Sequence, residues 1–118
     1  MRPALFIQKV RGMGRGVFAG RRYRAGEVIE VCPVIRVEPV AAGGVLEHYV
    51  FQWGPNTGRL VLALGYGSLY NHSANANAKF TARLSQNDII FRALREIAEG
   101  EQIFIDYEWD EADYTAFR

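Results

Sequence analysis

The stretch LYNHSANANAKF, residues 69–80, continues an apolar run, LVLALGYGSLY, that reads as buried chain. An amide-rich segment arriving from a core is costly unless its polar groups find partners. Each asparagine carries two donors and an acceptor, and a buried amide left unpaired costs about 1–3 kcal/mol. Asn71, His72, Asn75 and Asn77 must therefore be holding something. A turn stabilised by asparagine side chains is one reading. A ligand held by those side chains is the other.

The rest of the chain limits the choice. With 118 residues, 49% of them apolar, it makes one domain with a real core. No run reaches the roughly 18 apolar residues that span a bilayer, and the N-terminus does not read as a signal peptide. One cysteine, Cys32, allows neither an internal disulfide nor a cysteine-based zinc site. A reducing cytosolic compartment is the expectation. The net charge of +1 hides an asymmetry: arginines and Lys9 crowd the first 24 residues, and acids crowd the last 23. Those two halves either attract each other as solvated faces or leave an acidic rim for a basic partner. A nucleic-acid surface would call for a more basic chain.

Short strands punctuated by Gly, Pro and Asn predict a mainly β domain with little helix. Strands are expected at Leu5–Val10, Val17–Ala19, Val28–Val37, Leu60–Leu64, Lys79–Leu84, Ile89–Leu94 and Gln102–Tyr107. Pro33 suggests an edge or a bulge. Gly12–Gly16 and Tyr23–Glu27 read as turns, and Pro39–Gly44 as a loop. Val45–Trp53 reads as a short helix or strand, and Trp109–Phe117 as one or two helical turns.

Three motifs carry candidate chemistry. Gly14-Arg15-Gly16 lets backbone approach a ligand closely, although a tight turn between strands explains it too. It does not fit GxGxxG, and no helix follows. Asn71 to Asn77 is the amide-rich loop. A metal role for His72 lacks a second ligand at suitable spacing. Gly100-Glu101-Gln102-Ile103-Phe104-Ile105-Asp106-Tyr107 could be a core strand with an exposed tip.

In this order and spacing the three resemble the SET-domain protein-lysine methyltransferases, whose pattern is GxG, then N-H-S-x-x-x-N, then G-E-x-x-x-x-x-Y. The resemblance runs from about Phe6 to Trp109 and is greatest to the minimal members from bacteria and large algal viruses. It implies a β-clip fold of several small sheets with a knot-like C-terminal threading, and S-adenosylmethionine as cofactor. By that resemblance Gly14, Arg15, Gly16, Asn71, His72 and Tyr107 contact the cofactor: Asn71 at its methionine end, the His72 backbone at its adenine. Asn77 braces the threading, and Tyr107 is the catalytic tyrosine. Tyr49, Ile105 and Trp109 line the lysine channel, with Tyr66 and Tyr70 as further wall candidates. Glu108, Asp110 and Glu111 form a rim for a basic peptide. Ile105 stands where a hydroxyl-bearing residue would restrict the product to monomethyl, so di- or trimethylation is expected.

The departures are specific. Ala74 and Ala76 replace the common Cys and Pro, and Ser68 replaces an Arg often found three residues before the Asn. The zinc-binding cysteine tail of many members is missing, so no metal is expected. The implied substrate is a lysine-bearing basic protein, such as a histone or histone-like tail, in a bacterial cytosol or a viral host's nucleus. A homodimer would support the peptide groove. A catalytically dead fold serving as an interaction module, and a small β-barrel binding single-stranded nucleic acid, are the rivals.

Overall fold

The structure, a computed structural model, describes residues 3–38, 49–54 and 58–107. Strands β1 (Leu5–Val10) and β2 (Gly14–Ala19) form an antiparallel hairpin in which Leu5 faces Ala19 and Lys9 faces Arg15. The turn is shorter than the sequence suggests, because β2 begins at Gly14 rather than at Val17. Gly12 and Gly14 take φ of +81° and +75°, which reverses the chain within a few residues and frees Gly16 to extend.

Strand β3 (Val28–Val37) is followed by β4 (Val50–Gln52) and β5 (Leu60–Ala63). The described part of the ambiguous 45–53 segment is thus strand. Strand β6 (Asn71–His72) precedes the hairpin of β7 (Ala78–Arg83) and β8 (Asp88–Ala93), and β9 (Gln102–Ile105) comes last. One turn of 3-10 helix, Leu84–Gln86, connects β7 to β8, with Asn87 at φ +55°. Arg83 closes this hairpin with two bonds of 2.7 and 2.6 Å to the Asp88 carboxylate. On β7 the even positions Ala78, Phe80 and Ala82 are buried and the odd ones half-exposed, the alternation of a strand with one face on a core.

The strands make two sheets, ordered β1-β2-β9-β6 and β4-β5-β3-β8-β7. Strand β3 is interior, not an edge, and Pro33 marks the point where it changes partner. Val28–Pro33 pair with β8, and Val34–Val37 pair with β5. Pro33 has no N–H to donate, and its carbonyl accepts the Leu64 N–H at 2.9 Å where the β5 pairing starts. The irregularity lies earlier, as a register shift between Val28 and Glu30.

Aromatic and branched side chains from both sheets fill one core. Tyr70 stacks on Phe91 at 4.7 Å, Phe51 meets Phe80 edge-on at 5.1 Å, and Ile97, Ile103 and Ile105 are fully buried. Burying each such side chain is worth about 1.5–3 kcal/mol. The mainly β expectation holds. No helix of the described residues is long and apolar enough to cross a membrane. The 39–44 and 109–117 expectations lie outside the described residues.

Candidate functional site

The β1–β2 hairpin, β4 and the segment from Gly67 to Asn71 enclose an open cleft of about 910 Å³. That is within the range of small-molecule sites, about 300–1,000 Å³. Gly14, Arg15, Tyr49, Ser68, Tyr70, Asn71 and Tyr107 all line it. Residues from both ends of the chain and its middle thus meet at one surface.

Asn71 reaches this cleft because β6 pairs in parallel with β9, Asn71 against Phe104 and His72 against Ile105. Its amide nitrogen donates to the Arg15 carbonyl at 3.1 Å and to Gln102 Oε1 at 2.9 Å. The approach requires glycine at position 16. A Cβ there would lie 2.4 Å from Gln102 Oε1 and 2.9 Å from Asn71 Nδ2. Asn71 Oδ1 accepts no hydrogen bond among the described residues, which leaves one acceptor for a ligand.

Asn77, six residues on, is 1% exposed. Its nitrogen donates to the Gln102 carbonyl at 2.8 Å and to Glu101 Oε2 at 3.1 Å, and its oxygen accepts the Phe104 N–H at 2.8 Å. This side chain stitches the loop to β9. Burial would raise the Glu101 carboxyl, but the Ala98 amide, Asn77 and Arg95 outweigh it and hold it below the usual range. Asn75 is exposed, and its N–H donates to Ser73 Oγ, an ordinary turn contact.

Tyr107 sits just past β9. Its N–H donates to His72 Nδ1 at 2.9 Å, and its hydroxyl donates to the Tyr70 carbonyl. Burial, with Tyr49 adding to it, raises the phenol above its ordinary value. Receiving that N–H takes an unprotonated His72 Nδ1, so this nitrogen offers no proton to the Asp106 oxygen 3.6 Å away. The Tyr107 phenol keeps its proton, and that proton is spent on Tyr70. Its lone pairs are left for whatever enters the cleft.

Tyr70 is itself anchored. Its hydroxyl donates to Glu30 Oε1 at 2.6 Å, and Glu30 Oε2 accepts the Tyr66 N–H at 3.2 Å. Burial, then Glu30, pushes the Tyr70 phenol well up, and the same two causes push up the Cys32 thiol. Cys32 is therefore an inert core residue. Sequence reasoning missed Glu30. In strict alternation with its apolar neighbours it reads as solvent-facing, and the register shift between Val28 and Glu30 turns it inward. An acid two residues from a buried cysteine was the available signal. Ser68 exchanges bonds with the Ala63 N–H and carbonyl, at 3.1 and 3.2 Å, so the position that often carries Arg makes a local clasp here.

The cleft brings together Gly14, Arg15, Asn71, Tyr49, Tyr70 and Tyr107 of the expected residues. Gly16, His72 and Ile105 are not on its wall: Gly16 and Ile105 are buried, and the His72 ring lies behind Tyr107, 5.1 Å from its ring. Tyr66 is half-buried against the core. Glu108, Trp109, Asp110 and Glu111 lie outside the described residues. S-adenosylmethionine fits what is present. The open Oδ1 of Asn71 is an acceptor, a Cβ on Gly14 would meet nothing within 4 Å, and the apolar cleft suits an adenosyl group.

Comparison with known proteins gives one answer. A family model described as the SET domain matches residues 14–108. Over 112 residues the chain is 34% identical to a Schizosaccharomyces pombe protein named histone-lysine N-methyltransferase, H3 lysine-37 specific. That match covers 91% of this chain and 75% of the relative. A crystal structure from Plasmodium falciparum, described as that of a candidate histone methyltransferase, superposes with a TM-score of 0.76 at 28% identity. It covers 93% of this chain and 97% of its own.

Proposed function

The chain belongs to the SET-domain family of protein-lysine methyltransferases, and from that membership we propose that it moves methyl groups from S-adenosylmethionine to a lysine of a histone or histone-like tail. The observation that carries the reading is Tyr107, with its hydroxyl proton held by the Tyr70 carbonyl in the cleft that also holds Asn71. When bound, the cofactor supplies a methyl group activated on sulfonium. Asn71 Oδ1 and the Gly14–Arg15 backbone hold its amino-acid end.

The attacking amine must be neutral, whereas free lysine has a pKa of about 10.4. Tyr49, Phe51, Tyr70 and Phe80 on the cleft wall disfavour the ammonium by desolvation. Tyr107 is a protonated phenol and does not act as the base. Its lone pairs accept an amine N–H, which aims the nitrogen lone pair at the methyl group. Positioning of this kind supplies much of the rate. Ile105, buried behind the cleft wall, puts no hydroxyl there to retain a water, so products beyond monomethyl form. Among the described residues strand β4 lies at a sheet edge, and its residues line the cleft, which suits an extended peptide added alongside. Glu108, Asp110 and Glu111 serve as the basic peptide's rim, and a homodimer supporting that groove would double the mass in light scattering.

The test is transfer of labelled methyl from S-adenosylmethionine into core histones and basic bacterial or viral proteins, with Tyr107→Phe alongside. Lysine label that drops on the order of 10²-fold in the variant, with cofactor affinity kept, is the expected result. Monomethyl lysine alone at long times would remove the role given to Ile105. Cofactor binding without any transfer would favour the inactive interaction module.

A further inference from the structure

Glu30 is a half-buried carboxylate in β3, and among the described residues it forms no ion pair. A carboxylate in such a place loses solvation that only hydrogen bonds can offset. Its two oxygens serve the two ends of one turn. Oε2 accepts the Tyr66 N–H at 3.2 Å, and Oε1 accepts the Tyr70 hydroxyl at 2.6 Å. The turn leaves room for this carboxylate. Gly65 takes φ +66°, and a Cβ on it would lie 2.8 Å from Glu30 Oε2. Glu30 itself does not line the cleft.

What the carboxylate bridges is the segment that presents the Tyr70 carbonyl. Tyr70 belongs to no strand, so no ladder fixes its backbone. Its ring is fixed instead, by the stack on Phe91 at 4.7 Å and by the bond to Glu30. Its carbonyl takes the Tyr107 hydroxyl proton. We propose that Glu30 is a positioning residue for methyl transfer: by bridging Tyr66 and Tyr70 it fixes the carbonyl that takes the Tyr107 proton, and so decides which way the Tyr107 lone pairs face the amine. This rests on the lysine-methyltransferase reading above and adds a residue outside the cleft to it. With the bridge broken, the Tyr70 carbonyl shifts and the phenol turns with it. The amine lone pair is then no longer aimed at the methyl group, and alignment of that kind carries much of the rate.

Steady-state transfer from S-adenosylmethionine into core histones, at saturating levels of both and well below Tm, decides it. Tyr70→Phe removes the bond from one end and keeps the ring and the carbonyl. Glu30→Gln removes it from the other. A carboxylate accepts from both donors, whereas a carboxamide has a single accepting oxygen to offer them. Ile89→Val is the control, a trimmed core residue that does not line the cleft. Each bridge variant should lower kcat about tenfold, less than the roughly hundredfold that a misplacement of about 1 Å can cost. Affinity for S-adenosylmethionine in calorimetry should stay within about twofold of the parent, the mark of an interaction that acts on the transition state. In the Tyr107→Phe background the same variants should cost under about twofold, because the group they aim is gone. The control should lower Tm and keep kcat.

An unchanged kcat in both bridge variants overturns the proposal. So does a loss of the same size in the Tyr107→Phe background, which would give Glu30 a role in the fold alone. Weakened cofactor affinity with kcat kept at saturation would give the bridge to the cofactor site and overturn it equally. If Glu30→Gln does not fold, Tyr70→Phe decides alone. If the parent binds S-adenosylmethionine and labels no lysine, the methyltransferase reading itself falls, and this inference falls with it.

Discussion

Asn71 and Asn77 sit six residues apart in one loop, and both lean on β9, yet they do opposite work. Asn77 is sealed, with its nitrogen and oxygen both committed to the backbone and carboxylate at Gln102, Phe104 and Glu101. Asn71 stands at the cleft, with its nitrogen held by Arg15 and Gln102 and its oxygen open. Residue type is identical, so satisfaction decides the role. A polar group with every bond made inside the protein is fold. A polar group held on one side and open on the other can take a ligand.

The difference can be broken from the sealed end first. Asn77→Ala removes three bonds and strands the Phe104 N–H in the core. A cost of about 2–5 kcal/mol is expected, a drop in Tm on the order of 10–20 °C. Differential scanning calorimetry reads it, and a change under about 1 kcal/mol would deny Asn77 its bracing role. At the open end, Asn71→Ala should leave stability within about 1 kcal/mol, since the site is half-exposed. Cofactor affinity should instead fall about tenfold or more in calorimetry. A loss of stability with affinity kept would reverse the contrast.

The smallest effect sharpens the same comparison. Glu101 has a folded-state pKa held below its ordinary 4.5. Its ionised form therefore stabilises the fold above that value, and the stabilisation is lost as pH falls through the lower folded value. Acid melting curves between about pH 5 and pH 2 should show this loss, flattened in Glu101→Gln. Because Glu101 serves the sealed end, that variant should bind cofactor at neutral pH as the parent does.

Much of this was legible. Leu5–Val10 and the hairpin through residues 85–88 follow from strand periodicity and turn residues. That the amide-rich loop and the Gly100–Tyr107 segment serve one site follows from the family resemblance, whereas their parallel pairing is seen only in the structure. What stayed hidden depends on register. Glu30 was missed because a one-residue shift in β3 turns it inward to Tyr70, and no alternation pattern carries that shift. Pro33 reads as an edge because a sequence cannot say that one strand serves two partners in succession. Lys9 and Arg15 read as two of several solvated cations until the hairpin register sets them face to face at the cleft.

The sequence by itself determined the β class and the family, because side-chain periodicity, chemical type and motif spacing are local properties. Only the tertiary structure decided which asparagine is sealed and which is open, and which carboxylate is turned inward. It also decided that the Tyr107 proton goes to Tyr70. Hydrogen-bond satisfaction depends on the atoms that surround a group, and those come from strands far apart in the chain, brought together by burial of a common core.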